Sequence, residues 1–535
     1  MKKKYLYAVV VSASLLLPLG CQKNVLDVKD TTRITEDVLF KKPEDGIFLV
    51  NAIYDTFQHN RDYLLKSLFY NANFLSQDFF NWGADVSFND YQFSTSFDAG
   101  NVFWRDSYIG IARANSALPI IAKMKADGVL TPELADRLTG EAYFLRGALY
   151  YYLACTFGGV PLELQTVTDD GLHPRNTQDE VFASISTDMQ KAADLLPWIH
   201  GDADLGRATK GAALGYLGSA LMWQKKYAEA VTAYKQLDGH YQLWGNYIDV
   251  HEYANQNKPK ESLFEVQFDT PSGGKSDWNA GNEENWLTSF GMPEEVTTFG
   301  YHYANKKLYD SFQAGDTRKL PTIIGPNDAH PSPVIQIKNY ERVKAGFAAG
   351  NAKYKDANGN IINTCGRTGF EWVGDGLPKR SGYYGVKFWR DPNVTGATNN
   401  PADGVQHIFG NQNVILLRYG EVLLSLAEAQ FKSGAESDAR ITFQKVRDRA
   451  FGKLANPAVV VPPPVESDFM KAMLDEYRHE LAGEMSEWFD LRRTGLHVQY
   501  IKDKHGITVP PGHDLLPVPA QQISLNPTLA QNPNY

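Results

Sequence analysis

Three shortages frame this chain. Cysteine is scarce, with 3 in 535 residues, so no disulfide framework staples it and the fold must rest on a buried core. A basic excess is missing: 53 Lys and Arg face 62 Asp and Glu, for a formal net charge of −9. That balance excludes the phosphate-neutralising surface that nucleic-acid binding needs, and any electrostatic grip on anionic lipid. Beyond the N-terminus there is no apolar run of the roughly 20 residues that cross a bilayer.

Reaction motifs are missing too. There is no G-x-S-x-G elbow, phosphate loop or dinucleotide fingerprint. His479-Glu480-Leu481-Ala482-Gly483 has Gly where a zinc motif needs its second His, and His251-Glu252 meets Asn255 there. Asp356, Asn358 and Asn360 imitate the start of a calcium loop. Ile361 stands where Gly is required and Arg367 where the bidentate Glu belongs. No metal, cofactor or catalysis is expected.

What is present begins with a leader. Lys2, Lys3 and Lys4 precede an apolar stretch from Tyr5 to Leu17, the order of a signal peptide. The stretch ends in Leu17-Pro18-Leu19-Gly20-Cys21. A small residue before Cys is the lipoprotein processing signal, so Cys21 is expected to be acylated and to become the new N-terminus. Pro18 departs from the usual Leu at that place. Losing the three leader lysines makes the mature chain three units more acidic. Several acyl chains, at about 0.8 kcal/mol per buried CH₂, make a firm anchor. Membrane contact is therefore expected through the lipid alone. The two remaining thiols could pair in an oxidising compartment. Cys155 lies in an apolar helical stretch and reads as core, and Cys365 in a Gly- and Asn-rich loop.

The body divides by periodicity. Residues 1–20 are leader, 21–35 a lipidated tether, 36–240 a helical part, 241–415 a loop-rich insertion and 416–535 a second helical part of one compact body. Asp45 to Phe57 carries Ile47, Val50, Ile53, Tyr54 and Phe57 at helical spacing. Trp104 to Met124 repeats this. Thr131-Pro132 opens a helix through Tyr152 to Gly158-Gly159, with Thr131 as N-cap. Another starts at Asn176 or Thr177 and ends near Pro197. Leu217-Gly218, Tyr227, Ala230 and Tyr234 follow the spacing of a tetratricopeptide hairpin. Leu426-Ala427, Ala439 and Phe443 repeat the arithmetic. In the insertion, Ser262 to Phe268 alternates like a strand and Asn358-Gly359 signals a hairpin. Helices are expected over Arg418–Ser433, Ser437–Ala450 and Ser467 to about Leu491, with Leu515–Tyr535 extended. The fold class is all-α, a scaffold of tetratricopeptide-like hairpins carrying a loop-rich face with minor β-structure. Trp104, Trp223 and Trp488 read as core.

Four strings stand out together: Gly140 to Leu153 leading to Phe157-Gly158-Gly159-Val160-Pro161-Leu162; Leu417 to Leu424 with Ala427-Glu428-Ala429; Arg478-His479-Glu480-Leu481-Ala482-Gly483-Glu484 with Trp488 to Gly495; and Leu515 to Pro519 with Asn526-Pro527 and Gln531 to Tyr535. Together they resemble one family, the SusD/RagB lipoproteins of the Bacteroidetes outer membrane. They stand in family order and span nearly the whole mature chain. The resemblance implies a tetratricopeptide-like helical fold, a cell-surface position, and a partner, a SusC-like TonB-dependent transporter that the protein caps. It implies a glycan ligand, or in some members a peptide. A helical-repeat adaptor that binds no sugar is the other class, and a lipoprotein hydrolase a third.

Sugar recognition needs a flat aromatic against the C–H face of the ring and amides or carboxylates for its hydroxyls. Asp78-Phe79-Phe80-Asn81-Trp82 has that composition between helices, as do Asp277-Trp278-Asn279 and Asn282 to Trp286. The candidate contacts are Trp82, Asn81, Asp78, Trp286, Trp278 and Asn279, then Trp372 and Tyr384. Glu421 and Glu428 lie on one helix face with Arg418, about 10.5 Å apart along it. These and Glu484, Asp490, Arg492 and Arg493 are expected to form structural ion pairs between packed helices.

Overall fold

The computed structural model describes residues 39–58, 64–81, 86–258, 260–268, 302–325, 383–388 and 412–535, with Leu287, Gly291, Asp328 and Pro331 as single positions. The amphipathic stretches fold as helices α1 (Pro43–Gln58), α2 (Leu64–Asn73), α3 (Asp98–Ala126), α4 (Pro132–Phe157), α5 (Gln178–Leu195), α6 (Lys210–Trp223) and α7 (Tyr227–Lys235). Two short helices follow, α8 (Lys306–Ser311) and α9 (Lys319–Thr322). The C-terminal part holds α10 (Tyr419–Lys432), α11 (Glu436–Ala450), α12 (Phe469–Leu481), α13 (Glu487–Thr494), α14 (His497–His505) and α15 (Ala520–Leu525). Among the described residues, six short strands, β1 (Phe79–Asn81), β2 (Ser262–Val266), β3 (His302–Ala304), β4 (Ile323–Ile324), β5 (Tyr384–Gly385) and β6 (Val414–Arg418), pair antiparallel as β1–β3, β2–β6 and β4–β5.

The caps set the helix boundaries. The Thr131 hydroxyl accepts from the Leu134 N–H, and Pro132 occupies the first helical position, where its missing N–H costs nothing. Thr177, not Asn176, caps α5, in a reciprocal box with Glu180. Gly158, at φ 79°, ends α4. The carbonyl of Phe157 is then taken by Arg175 and by Asn532 of the C-terminal tail.

Successive helices from α3 to α7 pack on one another, and α10 pairs with α11. α10 also lies against α7, so the second helical part continues the stack begun by the first. The hairpin spacing read from sequence has a direct physical cause. A Cβ on Gly218 would lie 2.3 Å from the Tyr234 ring, so only glycine lets that ring fill the space between α6 and α7. Ala230 is buried there, and Ala427, Ala439 and Phe443 are buried in the α10–α11 hairpin.

Two expectations need correction. The helix expected from Ser467 to Leu491 is two helices, broken between Leu481 and Glu487. Gly483 sits at φ 83° with its N–H donated to the Asn73 side chain (2.7 Å), and this turn aims Glu484 back into the core. The final stretch is extended except for α15. Trp104 and Trp488 are core, and half-buried Trp223 stacks on Phe182. Cys155 is a buried free thiol; Cys21, Cys365 and the Asn358-Gly359 turn lie outside the described residues.

The fit of Gly218 against Tyr234 is testable. Gly218→Ala should destabilise the protein by about 1–3 kcal/mol, because the ring or the helix has to move. Urea denaturation would read the loss, and an unchanged midpoint would show that the interface is slack.

Candidate functional site

The end of α12 carries Arg478-His479-Glu480, and the turn beyond it carries Glu484. Each of the charged three is buried and reaches a distant segment. The Glu480 carboxylate meets Arg418 (2.5 Å), Arg318 (3.0 Å) and Arg449. Glu484 takes Arg418 on both oxygens (2.6 and 2.8 Å) and Lys387 (2.6 Å). Arg478 forms a two-pronged pair with Asp78, 400 residues away in sequence. Glu261 joins Arg418 and Arg449, and Asp316 and Glu476 join Arg318.

Burial alone would favour neutral carboxyls, but the surrounding cations outweigh it. Burial opposes the charge of Glu480, yet Arg449, Arg418 and Arg318 hold its pKa down to about 2. Asp78 is likewise lowered, by Arg478 against burial. Glu487, beside Asp78 without a cation of its own, is pushed well up by burial and by the Asp78 charge. Burial lowers Lys387 to about 8 and His251 to about 3.

This lattice underlies a small sheet and the base of the insertion. Asn81 pairs with His302 across β1–β3, and the Ala304 N–H donates to the Tyr383 carbonyl, which brings β5 alongside. Phe80, Tyr303 and Tyr384 run across these strands with ring centroids 5.9 and 5.1 Å apart. The insertion is closed at its base by β2–β6, where Val266 faces Val414. Asn413 clamps that base. Its side chain accepts from the Phe268 N–H and donates to Gln267 and Glu265.

Trp82, the residue after β1, lies outside the described residues, as do Trp278, Asn279, Trp286 and Trp372. The three candidates that are described stand inside the body, not on an open surface. Asp78 is 1% exposed and committed to Arg478. Asn81 is buried and exchanges hydrogen bonds with Asn89. Tyr384 is buried in β5. The sequence pattern cannot tell a loop polar residue from a strand residue whose partner is hundreds of positions away.

The expected ion pairs form in part. Glu428 pairs with Arg493 (2.8 Å), as does Asp490 (3.0 Å). Glu421 instead accepts from the Ser486 hydroxyl (2.9 Å), and burial with the Asp490 charge raises its pKa well above the usual value. Arg492 donates to the Asp514 carbonyl and packs on Trp223. His479 bonds Ser311 and stacks on Phe312, a structural role. Glu261, Arg318 and Arg449 sit in strings of unremarkable composition, which carry no local sign of their place in the lattice. Among the described residues no His, Cys, Asp and Glu group is arranged to hold a metal, and no helix is long and apolar enough to cross a membrane.

Residues 260–535 match the family model described as SusD family. The chain belongs to the SusD family. Residues 26–220 match a second model, described as starch-binding associating with outer membrane. SusD-like protein P25 of Formosa agariphila is 21% identical over 80% of this chain and 78% of its own. Among solved structures, a laminarin-binding SusD-like protein superposes with a TM-score of 0.70 at 23% identity, covering 92% of this chain and 100% of that one. The surface glycan-binding protein A of Bacteroides thetaiotaomicron, in complex with laminarihexaose, gives a TM-score of 0.68 at 19% identity, over 92% and 99%. The SusD fold is therefore present over the full body, and the lattice lies within it.

The lattice predicts acid lability. A carboxyl held at about 2, against an ordinary 4.5, stabilises the fold above pH 4.5 and loses that contribution as pH falls toward 2. His251, kept neutral down to about 3 against an ordinary 6.5, acts in the same direction from pH 6.5 downward. The raised carboxyls of Glu421 and Glu487 oppose this down to pH 4.5, so thermal melting should fall steadily between pH 4.5 and 3. Glu480→Gln should cost about 3–5 kcal/mol at neutral pH, since it leaves three buried guanidinium groups short of charge. A melting temperature unmoved by that substitution would contradict the account.

Proposed function

We propose that this protein is a cell-surface glycan-binding lipoprotein of the outer membrane. It captures oligo- or polysaccharide and delivers it to a partner SusC-like TonB-dependent transporter. The observation that carries the reading is the likeness across the body to a laminarin-binding SusD-like protein. The family membership and the second model's description, starch-binding associating with outer membrane, support it.

The physical division of labour fits capture. A rigid charged core and the β2–β6 closure hold the base of a long insertion rich in Trp, Asn and Gly. Functional side chains favour loops set on such a scaffold. Trp82 is the leading contact, followed by Trp286, Trp278 with Asn279, and Trp372. Each offers an aromatic face to a sugar ring while neighbouring amides meet its hydroxyls. Acylated Cys21 keeps the protein beside its barrel, so the two meet at high effective concentration.

A glycan array with the mature protein tests the reading, followed by titration of the best oligosaccharide. Trp82→Ala should weaken binding by about 2 kcal/mol without lowering the melting temperature. Binding of peptides with no glycan binding would replace the sugar by a peptide. New reducing ends on incubation with glycans would make the protein a hydrolase.

A further inference from the structure

A groove lies on the helical scaffold, built from α3, α4, α5 and the segment 164–166. Its volume is about 700 Å³, inside the ~300–1,000 Å³ range of small-ligand sites. None of the described insertion residues lines it. We propose that this groove is a separate subsite for an anionic sugar, one carrying a carboxylate or a sulfate ester.

The floor of the groove is fixed. Arg146 is buried and lies flat against Asp188 through two bonds of 2.8 and 2.7 Å. It also donates to the Asn115 side chain (2.7 Å) and to the Leu164 carbonyl (2.8 Å). Asn115 in turn donates to the carbonyls of Glu163 and Gln165, which pins the segment to α3. Pro119 stands inside α3 and has no N–H for the carbonyl four residues back, that of Asn115. A backbone acceptor is thereby left without its helical donor at the groove wall.

The charge is not balanced. Among the described residues, Asp188 is the one carboxylate lining the groove, and both its oxygens are engaged by Arg146. Lys191 is exposed on the rim and forms no ion pair with a described residue; its Nζ lies 4.7 Å over the centre of the Tyr143 ring, which the Arg146 guanidinium also approaches at 5.4 Å. The groove therefore keeps one positive charge beside an aromatic wall, on a chain of net charge −9. Gln165, Thr166 and Ser184 line the same space, with side chains that bond no other described residue. A cation held over an aromatic ring and not matched by a carboxylate, with amide and hydroxyl groups beside it, is what an acidic sugar requires. A neutral sugar would leave the charge unanswered.

The test is calorimetric titration of the mature protein, solubilised in detergent, with trigalacturonate, a sulfated galactose disaccharide and uncharged galactotriose. At least one charged sugar should bind and galactotriose should bind more weakly. Lys191→Ala and Tyr143→Ala should each weaken the charged sugar by about tenfold, while Lys191→Arg retains it. Trp82→Ala should leave this binding unchanged, which separates the subsite from the proposed principal site. If neither charged sugar binds, the inference falls. It falls equally if binding survives Lys191→Ala or is lost with Trp82→Ala. Failure here leaves the glycan-capture reading untouched, since that reading uses other residues.

Discussion

One buried carboxylate organises the centre of this molecule. Glu480 is fully inside and is held charged by Arg318, Arg418 and Arg449. Those arginines come from the segment before α9, the end of β6 and the end of α11. Glu484 and Arg478, its neighbours on either side, extend the grip to β6 and to the segment before β1. Four stretches far apart in sequence are thus registered against a single helix end. Such a lattice is not chiefly a source of net stability, since desolvating its members offsets most of their attraction. Its effect is specificity. Any arrangement that misplaces one segment strands a buried charge, at a cost of several kcal/mol.

The helical scaffold follows from local rules and was therefore legible from sequence. Thr131 and Thr177 mark their helices by side-chain chemistry that acts within three residues. Gly218 and Tyr234 reveal a hairpin because their packing partners lie within one repeat. The lattice obeys no local rule. Asp78 reads as a loop residue beside an aromatic run, and only Arg478 explains why it is buried. Gly483 failed as a metal ligand in the zinc pattern, but its positive φ is what breaks α12 from α13 and turns Glu484 inward. The family strings contained these residues without disclosing their roles.

The arrangement separates holding from contacting. The base of the insertion is zipped by β2–β6 and by Asn413, and its strands rest on charged groups that cannot move without penalty. On the proposed reading, the sugar meets the insertion, while the groups at its base are fixed by charge. The groove at Tyr143 and Lys191 belongs to the scaffold instead, built from packed helices and the segment 164–166 pinned to them.

The central claim is that Glu480 couples distant segments, and hydrogen exchange measures such coupling directly. In the Glu480→Gln variant of the mature protein, amides of 302–325, β6 and the N-terminal turn of α10 should lose protection together with α12. Those of α3 to α6 should keep theirs. Loss confined to α12 would show that the lattice is a set of independent pairs and would contradict the account.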